Sequence, residues 1–277
     1  MKLKKLLALA LVLTLAVSVA ACGKSSKDSE ENADKVTVKV GVVGEDNAMW
    51  TPIIENLAKE GIDVQLVSFS DYTTPNQALD NGEIDLNAFQ HHAYLDSEVQ
   101  NNGYKITSIG DTYISAMNIY SKNIKDISEI KKGDKIAVPN DASNEGRALK
   151  VVASAGLIKL DPNAGDSPEL TDITENPLNL EFVEVDAANV YTLLPDVAAG
   201  VINCNYALDS GLNPGKDSIF HDDVNFYTGN SYNNLIAART EDADNEVYKK
   251  VVDAYQSEEV KAVFADVFKG AYIAAWK

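Results

Sequence analysis

Val36-Thr-Val-Lys-Val-Gly-Val-Val43 alternates apolar and polar residues at a period of two, the pattern of a β-strand. Met49 to Lys59 follows with apolar residues at helical spacing, and Pro52 falls early, where its missing N–H costs little. Ile62 to Phe69 alternates again. Strand, helix, strand in that order is the unit of a parallel sheet with helices packed on its faces.

The pattern continues outward. Pro75 to Asn81 reads as a short helix stopped at Gly82, Ile84 to Phe89 as a third strand, and Tyr94 to Asn101 as a helix ended before Gly103. Lys135 to Val138 is a short strand ended by Pro139, and Glu145 to Ala155 is a helix closed by Gly156. Leu180 to Val185 reads as a strand, Val190 to Ala199 as a helix bent or shortened by Pro195, and Val201 to Tyr206 as a strand-like segment. Leu235 to Ala238 is another strand, and helices over Glu246–Gln256 and Glu258–Phe268 close the chain. Pro162 to Pro177, rich in Pro, Gly, Asp and Asn, reads as a long surface connection.

The N-terminus has a different character. Lys2, Lys4 and Lys5 precede an apolar stretch from Leu6 to Val19, too short to span a membrane comfortably, and small residues lead into Cys22. Ala20-Ala21-Cys22 resembles a bacterial lipobox, which implies cleavage before Cys22 and a diacylglycerol on its thiol. Residues 1–21 are then a signal peptide. Residues 22–35, polar and Ser-rich, form a flexible tether. Cleavage removes three lysines and no acids, taking the formal charge from −18 to −21. No basic run remains, which argues against nucleic acid and against adhesion to anionic lipid by charge, so the lipid itself must hold the protein at the membrane. Cys204 is the other cysteine of the chain, so the mature body contains no intramolecular disulfide.

A body of this length sits where a single core begins to divide. Two α/β lobes account for the element order. The crossings fall near Thr112–Lys122 and Gly229–Asn233, giving one lobe of residues 36–115 plus 231–277 and a second of residues 116–230.

Two stretches carry chemistry. In Pro139-Asn-Asp-Ala-Ser-Asn-Glu-Gly-Arg147, Ser143 or Asn144 is placed to cap a helix whose first-turn N–H groups suit an anion. Arg147, one turn inside, brings a planar fork matched to a carboxylate. An ordinary capped helix with a surface arginine accounts for the same spacing. In Ala88-Phe-Gln-His-His-Ala-Tyr94, aromatic rings gather at the C-terminal end of a strand, where open α/β sheets bind ligands. Phe69, Tyr72, Phe89, His91 and Tyr94 together would wall a pocket suited to an apolar or thioether side chain, although Phe69 serves equally as core. His91-His92 does not make a metal site, because neighbouring side chains diverge and the only other histidine is His221. Asn203-Cys-Asn-Tyr206 and Tyr232-Asn-Asn-Leu235 offer amides that bind ammonium or carboxylate, or simply end strands. No nucleophile elbow, phosphate loop or dinucleotide loop is present, so binding is favoured over catalysis.

Phe69-Ser-Asp-Tyr72, Pro75-Asn-Gln-Ala-Leu79, Ala88-Phe-Gln-His91, Val138-Pro-Asn-Asp141, Gly146-Arg147, Val201-Ile-Asn203 and Asn234-Leu-Ile236 resemble the methionine-binding lipoproteins of ABC importers, in order along the mature chain. The resemblance implies a two-lobed periplasmic-binding-protein fold (type II-like), with a ligand cleft between two parallel or mixed sheets. It implies capture of L-methionine, delivery to a permease driven by an ATPase, no cofactor and no enzymatic activity. By the same resemblance Arg147 pairs with the ligand carboxylate, Asn144, Asn203 and Asn234 hold its polar end, and Phe69, Tyr72, Phe89, His91 and Tyr94 surround its side chain. His92-Ala93 and Cys204-Asn205 depart from the family pattern, which leaves D-methionine, a methionine-containing dipeptide or another small amino acid open. A surface adhesin using the acidic face and an extracytoplasmic hydrolase are the readings from other classes. The lipid anchor implies an extracytoplasmic face of a bacterial cell membrane.

Overall fold

The computed structural model describes residues 35–227 and 229–277. Cys22, the signal segment and nearly all of the tether lie outside the described residues.

The first sheet is built on β1 (Val36–Val43). Val38, Val40 and Val42 point into a core closed by helix α1 (Trp50–Lys59). β2 (Ile62–Phe69) runs parallel to β1 in a continuous register from Val36↔Ile62 to Val43↔Phe69. Helix α2 (Pro75–Asp80) leads to β3 (Leu86–Asn87), parallel to β1 on its other side. The third strand is thus shorter than Ile84–Phe89, because the chain leaves the sheet after Asn87 to form the cleft wall. Helix α3 (His92–Asn102) and β4 (Ile106–Asp111) follow. β5 (Tyr113–Ser115) then leads away from this sheet, and β6 (Asn118–Tyr120) enters the second.

The second sheet contains β7 (Lys135–Pro139), followed by helix α4 (Ala142–Ser154). β8 (Lys159–Leu160) pairs with β9 (Ile173–Glu175), so the Pro162–Pro177 segment carries a small hairpin rather than being structureless. β10 (Glu181–Val185) pairs in parallel with β7. Helix α5 (Val190–Leu193) ends two residues before Pro195, whose ring excludes a further helical turn. The expected helix to Ala199 is corrected accordingly: β11 (Ala199–Ile202) starts there. The strand expected over Val201–Tyr206 ends at Ile202, and helix α6 (Cys204–Asp209) begins after Asn203. β12 (Ser218–Phe220) completes this sheet.

The chain then returns to the first sheet as β13 (Leu235–Arg239), antiparallel to both β3 and β4. Helices α7 (Glu246–Tyr255) and α8 (Glu258–Asp266) and strand β14 (Tyr272–Ala274) finish the chain, with β14 pairing β5. The sheet orders are β2-β1-β3-β13-β4 and β10-β7-β11-β6-β12.

Each sheet has its own helical cover. Trp50, Ile53 and Leu57 of α1 pack with Val251, Tyr255, Val260 and Phe264 of α7 and α8 on one face of the first sheet. Leu79, Leu95 and Leu235 fill its other face. Ala148, Leu149 and Val152 of α4 pack on Ile119, Ile136 and Val201 of the second. Burying each such aliphatic side chain contributes roughly 1.5–3 kcal/mol. A further cluster joins Val43, Tyr72, Phe89 and Tyr94 from the first unit to Tyr120, Ile202 and Tyr206 from the second. The C-terminal ends of β1, β3, β7 and β11 face that junction, where parallel sheets leave their loops and helix N-termini.

Candidate ligand-binding site

A small space lies at the junction, lined by Tyr72, Phe89, Gln90, His91, Tyr94, Asn144, Arg147, Asn203 and Asn234 together with Tyr113, Ser115, Cys204 and Asn205. Eight of the nine residues expected from the sequence therefore reach one cavity. Phe69 is the exception. It packs half-buried inside the first unit, beside Gly41, where a Cβ on the glycine would meet its ring at 3.1 Å.

Helix α4 supplies the charge. Its N-cap is Asp141, not Ser143 or Asn144, and the Asp141 carboxylate accepts from the Asn144 N–H at 2.9 Å. The same carboxylate accepts from Asn144 Nδ2 at 3.0 Å and from Ser143 Oγ at 3.0 Å. Both residues sit inside the first turn, which places Asn144 and Arg147 one above the other on the cavity face. Arg147 is only 3% exposed. Its Nη2 donates to the Ser115 carbonyl at 2.5 Å and approaches Asp222 Oδ2 at 3.4 Å, and its Nε donates to the Tyr227 hydroxyl at 3.3 Å. Tyr227 and Tyr232 place ring centroids 4.9 and 4.6 Å from the guanidinium carbon. Asp222 is itself held by the Met117 N–H at 3.0 Å and the Tyr227 hydroxyl at 2.6 Å. Among the described residues Nη1 makes no hydrogen bond, so its N–H groups are the donors of the guanidinium left for a ligand.

The amides are arranged as a relay. Asn144 Oδ1 accepts from Asn203 Nδ2 at 2.7 Å and from His91 Nε2 at 3.3 Å, so the Asn144 side chain is fully engaged. Asn203 Oδ1 is buried without a hydrogen-bond partner. Buried acceptors are rarely left so, and this one marks a place where a donor belongs. Asn234 is bridged to His91 through the backbone and lines the same space.

His91 caps α3, and its Nδ1 accepts from the Tyr94 N–H at 3.1 Å. The ring proton is therefore on Nε2, facing Asn144. Burial, then the Arg147 charge, lowers its pKa to about 3, so the imidazole is neutral. His92 points elsewhere, pairing with Asp111 at 2.7 Å. Among the described residues no group of three or more His, Cys, Asp or Glu is placed to hold a metal ion.

The apolar wall is a cluster of rings. Tyr72, Phe89 and Tyr94 have centroids 5.8–6.0 Å apart, and Tyr94 Oη donates to the Tyr72 carbonyl at 2.9 Å. Behind it, Asn76, Asn87 and Gln90 form a buried closed network of amide bonds of 2.6–3.0 Å that fixes the loop after β3. Cys204 is buried, and burial pushes its thiol up to about 12, which leaves it protonated.

Sequence reasoning missed Ser115, Asp222 and Tyr227. Ser115 contributes a backbone carbonyl, which no side-chain pattern reveals. Asp222 is one of 42 acidic residues and stands 75 positions from Arg147.

A buried cation with a free Nη1, an orphan acceptor and an aromatic wall, enclosed between two α/β units, define a solute-binding protein of the periplasmic type. Residues 38–276 match the NlpA lipoprotein family, and the chain belongs to that family, whose members are substrate-binding proteins rather than enzymes. It is 42% identical to the D-methionine-binding lipoprotein MetQ of Salmonella typhimurium over 94% of each chain. A nutrient-binding protein from Burkholderia cenocepacia, solved bound to methionine, is 46% identical with a TM-score of 0.81, covering 86% of this chain and 100% of that one. A crystal structure of the methionine-binding protein MetQ is 42% identical with a TM-score of 0.82, covering 87% of this chain and 98% of that one.

Proposed function

We propose that this protein is a lipid-anchored, extracytoplasmic receptor that captures L-methionine and delivers it to an ABC importer permease powered by an ATPase. The observation that carries the reading is the pairing of the free Arg147 Nη1 with the orphan Asn203 Oδ1 among the residues of one site. An α-amino acid needs such a pair: a cationic donor for its carboxylate and an acceptor for its ammonium. Asn144, itself bonded by His91, holds Asn203 in place, Asn234 borders the polar end, and Tyr72, Phe89 and Tyr94 take the thioether. Residues 36–115 with 231–277 and residues 116–230 act as the two closing units. Cys22 carries the diacylglycerol, and residues 22–35 give the slack needed to reach the permease.

D-Methionine is the second reading, supported by the names of the curated relatives. Isothermal titration of refolded protein with L-methionine, D-methionine and a methionine dipeptide tests both, and mass spectrometry identifies the copurifying ligand. Arg147→Lys keeps the charge and loses the fork, so affinity should fall about ten- to hundred-fold, the loss of one charge-assisted bond. No binding by any of the three ligands overturns the methionine reading.

A further inference from the structure

Helix α6 of the second unit makes a series of hydrogen bonds onto the first. Its N-cap is Asn203, a residue that lines the ligand space and whose Oδ1 is buried without a partner. Asn205 Oδ1 then accepts from the Tyr72 hydroxyl at 2.5 Å, and the Tyr206 hydroxyl lies 3.4 Å from the Ser70 carbonyl. At its end, Asp209 Oδ1 accepts from the backbone N–H groups of Glu45 and Asp46, both at 3.2 Å. The turn between β1 and α1 is shaped to offer those two donors. Gly44 has φ +89°, a conformation that L side chains rarely adopt, and a Cβ there would meet Asp209 Oδ2 at 2.1 Å. The Asn47 amide secures the turn on the Gly44 carbonyl at 3.0 Å.

Asp209 gains nothing locally from its position. A carboxylate at a helix C-terminus opposes the helix dipole, and Glu45 and Asp46 are like charges beside it. The backbone donors of the other unit are the favourable partners it has there. We propose that Asp209 is a positioning residue that latches the two units shut over the ligand by seating its carboxylate on the Glu45 and Asp46 N–H groups. The proposal rests on the solute-receptor reading, not on the identity of the ligand. Asp209 touches no ligand; it acts through α6, whose first residue borders the ligand space and whose last binds the opposite unit. The latch stands at the solvent-exposed rim and works against like charge, so it is weak enough to release when the receptor must open.

The test uses the protein with Cys22→Ser, and Glu55→Cys and Lys132→Cys as exposed labelling sites on the two units, with Cys204 left buried. Single-molecule energy transfer reads the closed fraction in as-purified and refolded protein, and stopped flow reads L-methionine dissociation. Asp209→Ala should lower the closed fraction and raise the dissociation rate about three- to ten-fold, the scale of a rim contact near 1 kcal/mol. The association rate and Tm should stay near those of the parent protein. Gly44→Ala should act in the same direction by displacing the carboxylate. Asp209→Asn keeps an acceptor oxygen and removes the like-charge opposition, so it should retain closure. An unchanged closed fraction in both preparations overturns the latch, as does a lower Tm with unchanged closed fraction and dissociation rate. Failure of the parent protein to bind methionine overturns the ligand assignment alone, and the energy-transfer comparison still decides the latch.

Discussion

At the scale of single residues, the site is held in tension between stability and binding. Asn203 Oδ1 is buried without a partner, and such an orphan costs about 1–3 kcal/mol. Asn203→Ala removes that cost together with the 2.7 Å bond to Asn144, so the two changes nearly cancel in ligand-free stability. Affinity should nevertheless fall at least about ten-fold, because one hydrogen bond to an ammonium is lost. Urea melts and titrations on the same variant check both halves. His91 gives a pH signature of the same origin. Its folded pKa is depressed to about 3 from an ordinary 6.5, so the unfolded chain takes up a proton that the folded chain refuses. The stability it preserves is complete above about pH 6.5 and is lost as pH falls toward 3, with a slope of up to about 1.4 kcal/mol per pH unit. Glu145 works in the opposite sense. Burial, then Glu184 and Glu169, raises it to about 7, so its contribution favours the folded chain at low pH and fades as pH rises from about 4.5 to 7. The two partly offset each other in the parent protein. The His91 slope is therefore read as the difference between the protein and His91→Asn in melts at pH 7, 6 and 5, and parallel profiles would contradict it.

At the scale of elements, Gly146 shows what α4 gives up to reach the site. A Cβ at this position would lie 2.7 Å from Ser167 Cα and 2.9 Å from its carbonyl carbon, so the helix packs against bare backbone. Alanine normally favours a helix over glycine by about 0.8–1 kcal/mol, but overpacking against backbone costs about 1–3 kcal/mol. Gly146→Ala should thus be destabilising despite its better propensity, and should shift Arg147 enough to weaken ligand binding. A more stable variant with unchanged affinity would show that the 166–168 segment simply moves aside. The same helix shows what the sequence revealed. Arg147 and Asn144 stand out because a strand, a polar turn and a helix start suit an anion. That spacing fits a capped helix with a surface arginine equally well, and their ligand roles come from the family resemblance. The cap is not legible. Asp141, Ser143 and Asn144 are all good N-cap types within four positions, and only the backbone path selects Asp141. The misread segment from Val190 to Tyr206 has the same cause at larger size. Val201-Ile202 and Cys204-Asn-Tyr206 form one continuous mixed run, and nothing local marks Asn203 as the corner where β11 becomes α6. Phe69 followed β2 correctly to its end, yet its ring turns toward Gly41, a facing that periodicity does not assign at a strand's last residue.

At the scale of the whole molecule, two sheets with separate helical covers behave as one unit because the junction core belongs to both. Val43, Tyr72, Phe89 and Tyr94 pack with Tyr120, Ile202 and Tyr206, and the chain crosses between the sheets twice. Separating the units exposes those rings and breaks the relay from His91 through Asn144 to Asn203. Unfolding of the closed, ligand-bound protein should therefore be a single transition. Ligand then acts on that transition as a whole: at about a thousand times Kd it adds about 4.1 kcal/mol to the folded state. For a domain of this size, each kcal/mol moves Tm by about 2–4 °C, so saturating methionine should raise it by about 8–16 °C. Calorimetry on refolded protein tests both statements at once. Two resolved transitions would mean that the rings at the junction do not couple the sheets, whereas one transition left unmoved by methionine would mean that the free Arg147 Nη1 and the Asn203 acceptor await a different solute.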